Sequence, residues 1–313
     1  MKKVVKRIIA TLVVIAIIAV SALLAWNSYN SKLVLLAPTS DGLVSYYSFN
    51  DTSLTTIFPD SVGGKNFFCV MGSTDADVPA TKSTFRSEEY NKCPIYVEGK
   101  TGKAIQFDGV NDFIQIQGDN AFNTLSKGTI AFWVKTSDNK QDQTVFMASN
   151  LASDADYLEI RLNNAWTSYH GIMIHSRSST GTNWLMYTDP AISYDWTQWT
   201  HIAIVQDGVN PALYINGQRK PEGAGGIKFS AGTNRGAWFD DIKGTNIVYL
   251  SGMFARASGT GNYFKGSLDE LKIYNKALSD AEIEKCSGIV IPIKIYAQTT
   301  KPSYVIGEQI KLG

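Results

Sequence analysis

Short β-rich segments separated by turn residues recur along most of the chain, and they constrain its fold more than any other feature. Most of them alternate apolar and polar residues, as strands with one buried face do. They occupy residues 43–50, 104–109, 113–118, 128–136, 144–150, 157–164, 171–177, 200–208, 212–218, 247–252 and 266–275. Crossover helices do not separate them, which disfavours a parallel α/β sheet. The pattern predicts an all-β fold, a two-sheet antiparallel sandwich or jelly roll.

One short helix is predicted where this β-rich region ends, in the segment SDAEIEKCSG. Ser279 and Glu282 have the spacing of a capping box, in which each side chain accepts a hydrogen bond from the other's backbone amide. Gly288 is placed to end the helix, because glycine readily adopts the left-handed conformation found there. Residues 289–313 then return to strand-like alternation. They are too short for a core of their own, so we expect the start of a further β-sandwich domain or an extended tail.

The first 32 residues have the pattern of a cytoplasmic basic tip followed by a transmembrane anchor. Lys2, Lys3, Lys6 and Arg7 precede an uncharged run, Ile8–Trp26, that is long enough to cross a bilayer core as a helix. Because positive charge stays in the cytoplasm, the N-terminus is expected inside and the main domain outside the cell. A cleaved signal peptide is the alternative, although its apolar core spans only about 7 to 15 residues. Residues 33–40 are then a linker.

The charge balance limits the possible binding partners, and the cysteines bear on the cellular compartment of the protein. Lys and Arg together number 29 and Asp and Glu 28, so the chain has no basic field for nucleic acid. Cys69 and Cys93 flank one polar stretch and would close a loop of the size that gains from cross-linking. They either form a disulfide, as an exported domain allows, or remain reduced and buried. Cys286 has no second partner in the sequence.

Five sequence segments follow one another in a recognisable order. They are GLVSYYSFNDT with FPDSVGGKN, GKTGKAIQFDGVNDFIQI, GTIAFWVKT, WTQWTHIAIVQDG with ALYINGQ, and GNYFKGSLDELKIYNKALSDAEI. Together they resemble the laminin G-like, concanavalin A-like lectin/glucanase family of jelly rolls. The resemblance covers residues 41–288 and implies that these residues form one jelly-roll domain. It is specific for the fold and much less so for function, because this architecture carries lectins, adhesive modules and some hydrolases.

The carboxylates do not have the arrangement that a glycoside hydrolase of this fold requires. Such enzymes place two acids on one face of a strand, about 5 to 5.5 Å apart in retaining members. Asp269 and Glu270 are adjacent in a predicted strand, so strand alternation is expected to send them to opposite faces. Glu159 stands alone in YLEIRLNN. The sequence therefore predicts that the protein is not an enzyme.

The resemblance also implies a structural calcium ion with two aspartates as side-chain ligands. Asp60 lies in the loop after the opening strand and Asp269 in the closing strand, where the family often holds calcium. Calcium takes six to eight oxygens and accepts them from loops. In the alternative interpretation Asp60 caps an Asx turn and Asp269 bonds to loop amides, and no metal is needed.

Aromatic and polar residues in or beside the predicted loops are the candidates for ligand binding. Aromatic rings stack on sugar rings, and polar side chains bond to sugar hydroxyls. The candidates are Trp166, Tyr169, Trp184, Tyr187, Arg235 and Trp238. Three other tryptophans lie in segments that match the family core and are expected to fill the sandwich, namely Trp133, Trp196 and Trp199.

Together these features predict a membrane-anchored extracellular module for binding or adhesion. Its expected partner is a glycan or a surface protein. The alternatives are a structural spacer or assembly module of a larger surface protein, and a glycoside hydrolase of the concanavalin A-like fold.

Overall fold

The computed structural model describes residues 40–53, 56–69, 93–117, 122–136, 142–150, 153–162, 171–242, 244, 247–255 and 259–288. The predicted membrane anchor, most of the linker and the C-terminal tail lie outside these ranges. Within them, no helix has the length and apolar character that a membrane crossing requires.

The described residues form nineteen strands, one α-helix and a 3-10 turn at Phe239–Asp241. The helix, α1, is Asp280–Ser287. The strands in chain order are β1 (Leu43–Tyr47), β2 (Ile57–Phe58), β3 (Phe67–Cys69), β4 (Ile95–Glu98), β5 (Lys103–Asp108), β6 (Ile114–Gln117), β7 (Gly128–Thr136), β8 (Gln143–Asn150), β9 (Ser153–Leu162), β10 (Ile172–Ser178), β11 (Gly181–Thr188), β12 (Thr200–Gln206), β13 (Pro211–Ile215), β14 (Gln218–Arg219), β15 (Ile227–Ala231), β16 (Ile247–Leu250), β17 (Met253–Ala255), β18 (Gly259–Gly261) and β19 (Lys265–Tyr274).

Two large antiparallel sheets pack face to face, which confirms the predicted all-β sandwich. The eight-stranded sheet has the order β14-β13-β12-β7-β19-β5-β4, with β1 also paired to β19. The nine-stranded sheet has the order β15-β11-β10-β9-β8-β16-β6-β3-β2. The hairpin of β17 and β18 is separate.

The sandwich core is built from alternate residues of the strands of both sheets. From β7, Ile130, Phe132 and Val134 point inward, and from β9, Leu158 and Ile160 do so. Each fully buried side chain of this size contributes roughly 1.5 to 3 kcal/mol through the hydrophobic effect. The residues between them in each strand therefore form the two outer faces of the sandwich.

Helix α1 covers part of the outer face of the eight-stranded sheet. Ile283 and Cys286 pack there against Ala131, Ala203 and Val205, whose small or short side chains let the helix approach closely. The predicted capping box is confirmed, because Ser279 N donates to Glu282 Oε2 (2.9 Å) and Glu282 N donates to Ser279 Oγ (3.4 Å). Gly288 ends the helix with φ 59°, as predicted.

A disulfide joins Cys69 to Cys93, with their Cα atoms 5.6 Å apart. Cys69 ends β3 of the nine-stranded sheet, and Cys93 precedes β4 at the edge of the eight-stranded sheet. The bond therefore connects the two sheets along one side of the sandwich. Cys286 is a free, buried cysteine.

Several strands were not predicted from the sequence, and β11 is the longest of them. β11 carries the run Trp184, Leu185, Met186 and Tyr187, in which apolar residues occupy both faces. β15, Ile227–Ala231, also lies outside the segments that were predicted as strands. Period-two alternation is absent when both faces of a strand bury apolar surface, and for that reason β11 escaped prediction.

Candidate functional site

The outer face of the nine-stranded sheet, which we call the binding face, carries one continuous row of side chains. Cross-strand partners define this row, since each residue pairs directly with the next one. Aromatic, apolar and charged groups follow one another along it. From β3 to β15 the row is Phe68, Gln115, Tyr249, Met147, Glu159, His175, Leu185 and Ala231.

One half of the binding face is apolar and aromatic. Met147, Ile247 and Tyr249 form a buried cluster, against which the partly buried Phe113 and Tyr157 pack. The rings of Phe113 and Tyr249 lie edge to face with centroids 5.9 Å apart. This cluster is built from the sheet and its adjoining Phe113, whereas the cluster on the other outer face includes helix residues.

The centre of the binding face holds a buried ion pair. Arg161 Nη2 donates to both carboxylate oxygens of Glu159, at 2.8 and 2.9 Å, and its Nη1 donates to Asp142 Oδ1 at 3.2 Å. Thr144 Oγ1 donates to Glu159 Oε1 at 2.6 Å. Burial lowers the pKa of Arg161, but the two carboxylates more than offset it and the net direction is upward. Glu159, which stood alone in the sequence, is therefore a neutralised partner of Arg161.

His175 lies beside this ion pair in a network of neutral groups. Its Nδ1 is 3.1 Å from the Tyr157 hydroxyl, and its Nε2 is 3.1 Å from Thr182 Oγ1. Burial, together with the charges of Arg177 and Arg161, lowers the pKa of His175 to about 4. Burial raises the pKa of Tyr157 to about 12. Both side chains are uncharged at neutral pH, and both ring nitrogens of His175 are already bonded within this network.

Two of the six predicted ligand residues cannot contact a ligand, and those predictions are wrong. Trp184 and Trp238 each have 0% exposed surface. Trp184 points into the sandwich from β11, and its Nε1 donates to Ala237 O at 2.9 Å. Trp238 packs edge to face on Phe239, with ring centroids 5.1 Å apart. A ring without accessible surface has no face for a sugar to stack on.

The other four predicted ligand residues have different outcomes. Trp166 and Tyr169 lie outside the described residues. Tyr187 is half-buried on the binding face, between Met173 of β10 and Lys228 of β15. Arg235 lies with its guanidinium 3.8 Å from the Phe229 ring centre and donates to both oxygens of Glu222 at 3.2 Å.

Sequence reasoning missed the polar centre of the binding face, although the signal was present. Alternation in YLEIRL places Tyr157, Glu159 and Arg161 on one face of a strand. The same alternation in IMIHSR places His175 and Arg177 on one face of the next strand. The two sets face the same side only because β9 and β10 are antiparallel neighbours, and pairing of strands was not part of the sequence argument.

Asp60 stabilises the loop that follows β2. Its Oδ1 accepts from Tyr46 N at 2.9 Å and from Val62 N at 3.0 Å, and the second contact is an Asx turn. Its Oδ2 accepts from Lys65 N at 3.2 Å. Backbone amides thus occupy both carboxylate oxygens, as in the alternative interpretation of this residue.

Asp269 and Glu270 lie on the same face of the sheet, so the prediction that alternation separates them is wrong. A β-bulge interrupts β19 between Asp269 and Lys272, and Glu270 adopts a left-handed backbone with φ 54°. The extra residue of a bulge shifts the alternation by one position. Glu270 accepts from the Tyr46 hydroxyl and from Lys272 Nζ, both at 2.7 Å, on the outer face of the eight-stranded sheet.

Asp269 is fully buried beside the turn between β4 and β5. Its Oδ2 accepts from Thr101 N at 2.9 Å, whereas its Oδ1 has no hydrogen-bond partner. Burial, with a smaller contribution from the charge of Glu270, raises its pKa to about 6. A Cβ atom at Gly99 would lie 2.6 Å from Asp269 Oδ2, so the carboxylate needs glycine there.

Asp60 and Asp269 hold different loops and share no hydrogen-bond partner among the described residues. Asn50 is the residue that approaches the same turn as Asp269, because its Oδ1 accepts from Lys103 N at 2.7 Å. In the described part of the chain, no three His, Cys, Asp or Glu side chains form a cluster that could hold a metal ion.

One family model matches residues 108–284, more than half of the 313 residues, and its description is the concanavalin A-like lectin/glucanases superfamily. No curated protein sequence matches the chain.

The chain is similar in fold to several solved structures. Trypanosoma rangeli sialidase in complex with the inhibitor DANA aligns with a TM-score of 0.51 and 11% identity, over 80% of this chain and 33% of the sialidase. Domain 4 of AbnA, a GH43 extracellular arabinanase from Geobacillus stearothermophilus, in complex with arabinotriose, has a TM-score of 0.49 and 22% identity, over 78% of this chain and 98% of the domain. The Ruminococcus gnavus IT-sialidase CBM40, bound to alpha2,6 sialyllactose, has a TM-score of 0.46 and 16% identity, over 62% of this chain and 98% of the CBM40 chain.

Proposed function

The chain belongs to the concanavalin A-like lectin/glucanases superfamily, and from that premise we propose that it is a non-catalytic module that binds glycan on its binding face. Members of a fold differ in function through the site they carry, so the proposal depends on the side chains of this face. The observation that carries it is the set of partly exposed rings Phe113, Tyr157 and Tyr187, which border the buried polar centre of the same face.

This combination matches what sugars require. A pyranose ring has an apolar face that packs on aromatic rings, and hydroxyls that exchange hydrogen bonds with polar side chains. Phe68 is 47% exposed, and Phe113, Tyr157 and Tyr187 are partly exposed, so ring surface reaches the solvent on both sides of the centre. Helix α1 covers part of the opposite outer face of the sandwich, which favours the binding face as the platform.

The non-catalytic part of the proposal has its support in the contacts of the carboxylates. An acid or nucleophile in glycoside hydrolysis needs a carboxylate that can exchange a proton or attack the sugar. Glu159 is bound through both oxygens to Arg161. Glu270 is bound to Tyr46 and Lys272 on the other face of the molecule.

A glycan array with the purified extracellular part tests the binding proposal. We expect specific binding that weakens about tenfold in Phe113→Ala and in Tyr187→Ala, because loss of one stacked ring costs roughly 1 to 1.5 kcal/mol. Tyr194→Ala is the matched control, since this ring stacks on Trp196 in the connection between β11 and β12. Binding unchanged in both face variants would contradict the site. An absence of any bound glycan would favour a structural or assembly module.

We further propose that the module faces the outside of the cell on an N-terminal membrane anchor within residues 1–32. The basic tip and the apolar run Ile8–Trp26 suggest it, and the Cys69–Cys93 disulfide is consistent with an oxidising compartment. We expect the untreated protein to be found in the membrane fraction of the cells. Protease added to intact cells is then expected to degrade the module. A protected module, or one released into the medium, would contradict this topology.

Calcium is proposed as a structural ion at Asp269, with Asn50 beside it. The buried, unpartnered Oδ1 of Asp269 fits a cation, and both residues approach the turn of Gly99 to Lys103. Asp60 fits less well because backbone amides occupy both of its oxygens. When bound, the ion would supply charge neutralisation at Asp269. The residues would then tie β19 to the turn between β4 and β5.

A further inference from the structure

Arg177 is a cation on the binding face whose strand neighbours carry no charge. It lies in β10, directly opposite Tyr157 of β9 and Thr182 of β11. Glu159, two residues along β9 from Tyr157, pairs with His175 across the strands and is bound to Arg161 through both oxygens. The sheet therefore flanks Arg177 with hydroxyl groups on both sides.

The guanidinium of Arg177 has no counter-charge among the described residues, although the Tyr157 hydroxyl lies within its hydrogen-bonding reach. Its Nε is shielded from solvent and has no hydrogen-bond partner. Among the described residues, no ion pair includes Arg177. Removing a charge from water without a counter-charge is costly, so such a group is a place where an anionic ligand gains affinity.

The other cations of the binding face are already neutralised. Arg161 contacts Glu159 and Asp142, and Lys228 Nζ lies 3.0 Å from Asp189 Oδ1. His175, two residues before Arg177, is neutral at physiological pH because burial lowers its pKa to about 4. Arg177 is thus the uncompensated positive charge within the polar centre that the structure describes.

We propose that the ligand of the binding face is an anionic sugar, whose carboxylate or sulfate group pairs with Arg177. This inference rests on the proposed glycan-binding function and adds the chemical class of the ligand. The planar guanidinium donates two parallel hydrogen bonds to an anion of this shape. The Tyr157 hydroxyl, opposite Arg177, and Thr182 Oγ1 can bond to neighbouring sugar hydroxyls.

Matched pairs of acidic and neutral oligosaccharides test the inference. The set contains lactose, 3′-sialyllactose and 3′-sulfated lactose, together with galacturonic acid and galactose oligomers, and dissociation constants are measured by calorimetry. We expect at least one acidic member to bind about tenfold more tightly than its neutral counterpart. The carboxylate and sulfate arms identify which anion the site takes.

Three variants assign the preference to one side chain. Arg177→Gln is expected to abolish the acidic preference, and Arg177→Lys to restore only part of it, because lysine keeps the charge without the bidentate geometry. Lys228→Gln removes one positive charge from the same face and is expected to leave the preference intact, since Lys228 is paired with Asp189. Thermal melting of each variant verifies the fold.

The outcomes separate this inference from the proposed function. Equal binding of acidic and neutral sugars would overturn the inference and leave glycan binding standing. An acidic preference that persists in Arg177→Gln, or that disappears equally in Lys228→Gln, would also overturn it. Loss of all sugar binding by the wild-type protein would refute the proposed function and the inference with it.

Discussion

Trp184→Ala is expected to destabilise the domain by roughly 3 to 5 kcal/mol, the range for truncating a fully buried aromatic residue. Trp184 has 0% exposed surface and fills the sandwich interior from β11. Its Nε1 donates to Ala237 O, so the truncation also leaves a buried carbonyl oxygen without this donor. Urea unfolding followed by circular dichroism measures the change.

Tyr187→Ala is the matched control for Trp184→Ala, since both residues lie in β11 and their side chains point to opposite faces. We expect about 1 kcal/mol of destabilisation for Tyr187→Ala, because its ring is half-buried and lies outside the core. We expect Tyr187→Ala to lower glycan affinity more than it lowers stability. A Trp184→Ala variant that keeps wild-type stability and loses only sugar binding would show that Trp184 reaches the ligand.

Calcium added to chelator-treated protein is expected to raise the melting temperature by roughly 10 °C. At a calcium concentration a thousandfold above the dissociation constant, a ligand of the native state adds about 4 kcal/mol, and each kcal/mol shifts a domain of this size by about 2 to 4 °C. Asp269→Asn is expected to remove the shift. Asp60→Asn is expected to lower stability and retain the shift, because Asp60 already bonds to Tyr46, Val62 and Lys65 amides.

The pH dependence of stability is an independent test of the protonation state of Asp269. Without metal, burial raises the pKa of Asp269 from 3.8 to about 6, so the folded state binds a proton that the unfolded state releases. This contribution is present below about pH 4 and is lost as pH rises through 6. Calcium requires the ionised form, so its stabilisation grows as pH rises. No calcium shift at any pH would refute the proposed ion.

The two outer faces of the sandwich carry different kinds of side chains, and we assign them different roles. The face of the eight-stranded sheet carries helix α1 and the Glu270–Lys272 ion pair, and the contacts there join β1, β19 and α1. The face of the nine-stranded sheet carries rings, hydroxyls and Arg177. This division explains why the adjacent carboxylates of the closing strand belong to the scaffold, while the candidate site lies on the other sheet.

Much of the fold was predictable because strand alternation and capping are local properties. The segment GTIAFWVKT coincides with β7, and SDAEIEKCSG contains α1 with its cap and its terminal glycine. β11 was not predictable in this way, since apolar residues occupy both of its faces and erase the period-two signal. That one error also turned Trp184, a core residue, into a predicted loop residue.

The sequence by itself determined the class of fold, the closing helix and the family resemblance, because these depend on the order of residues along one segment. Only the tertiary structure decided which side chains share a face. The bulge at Glu270 reversed the direction of a carboxylate, and the pairing of β9 with β10 placed Arg177 opposite Tyr157. The physical reason is that strand register and bulges depend on contacts between distant segments, which local alternation does not encode.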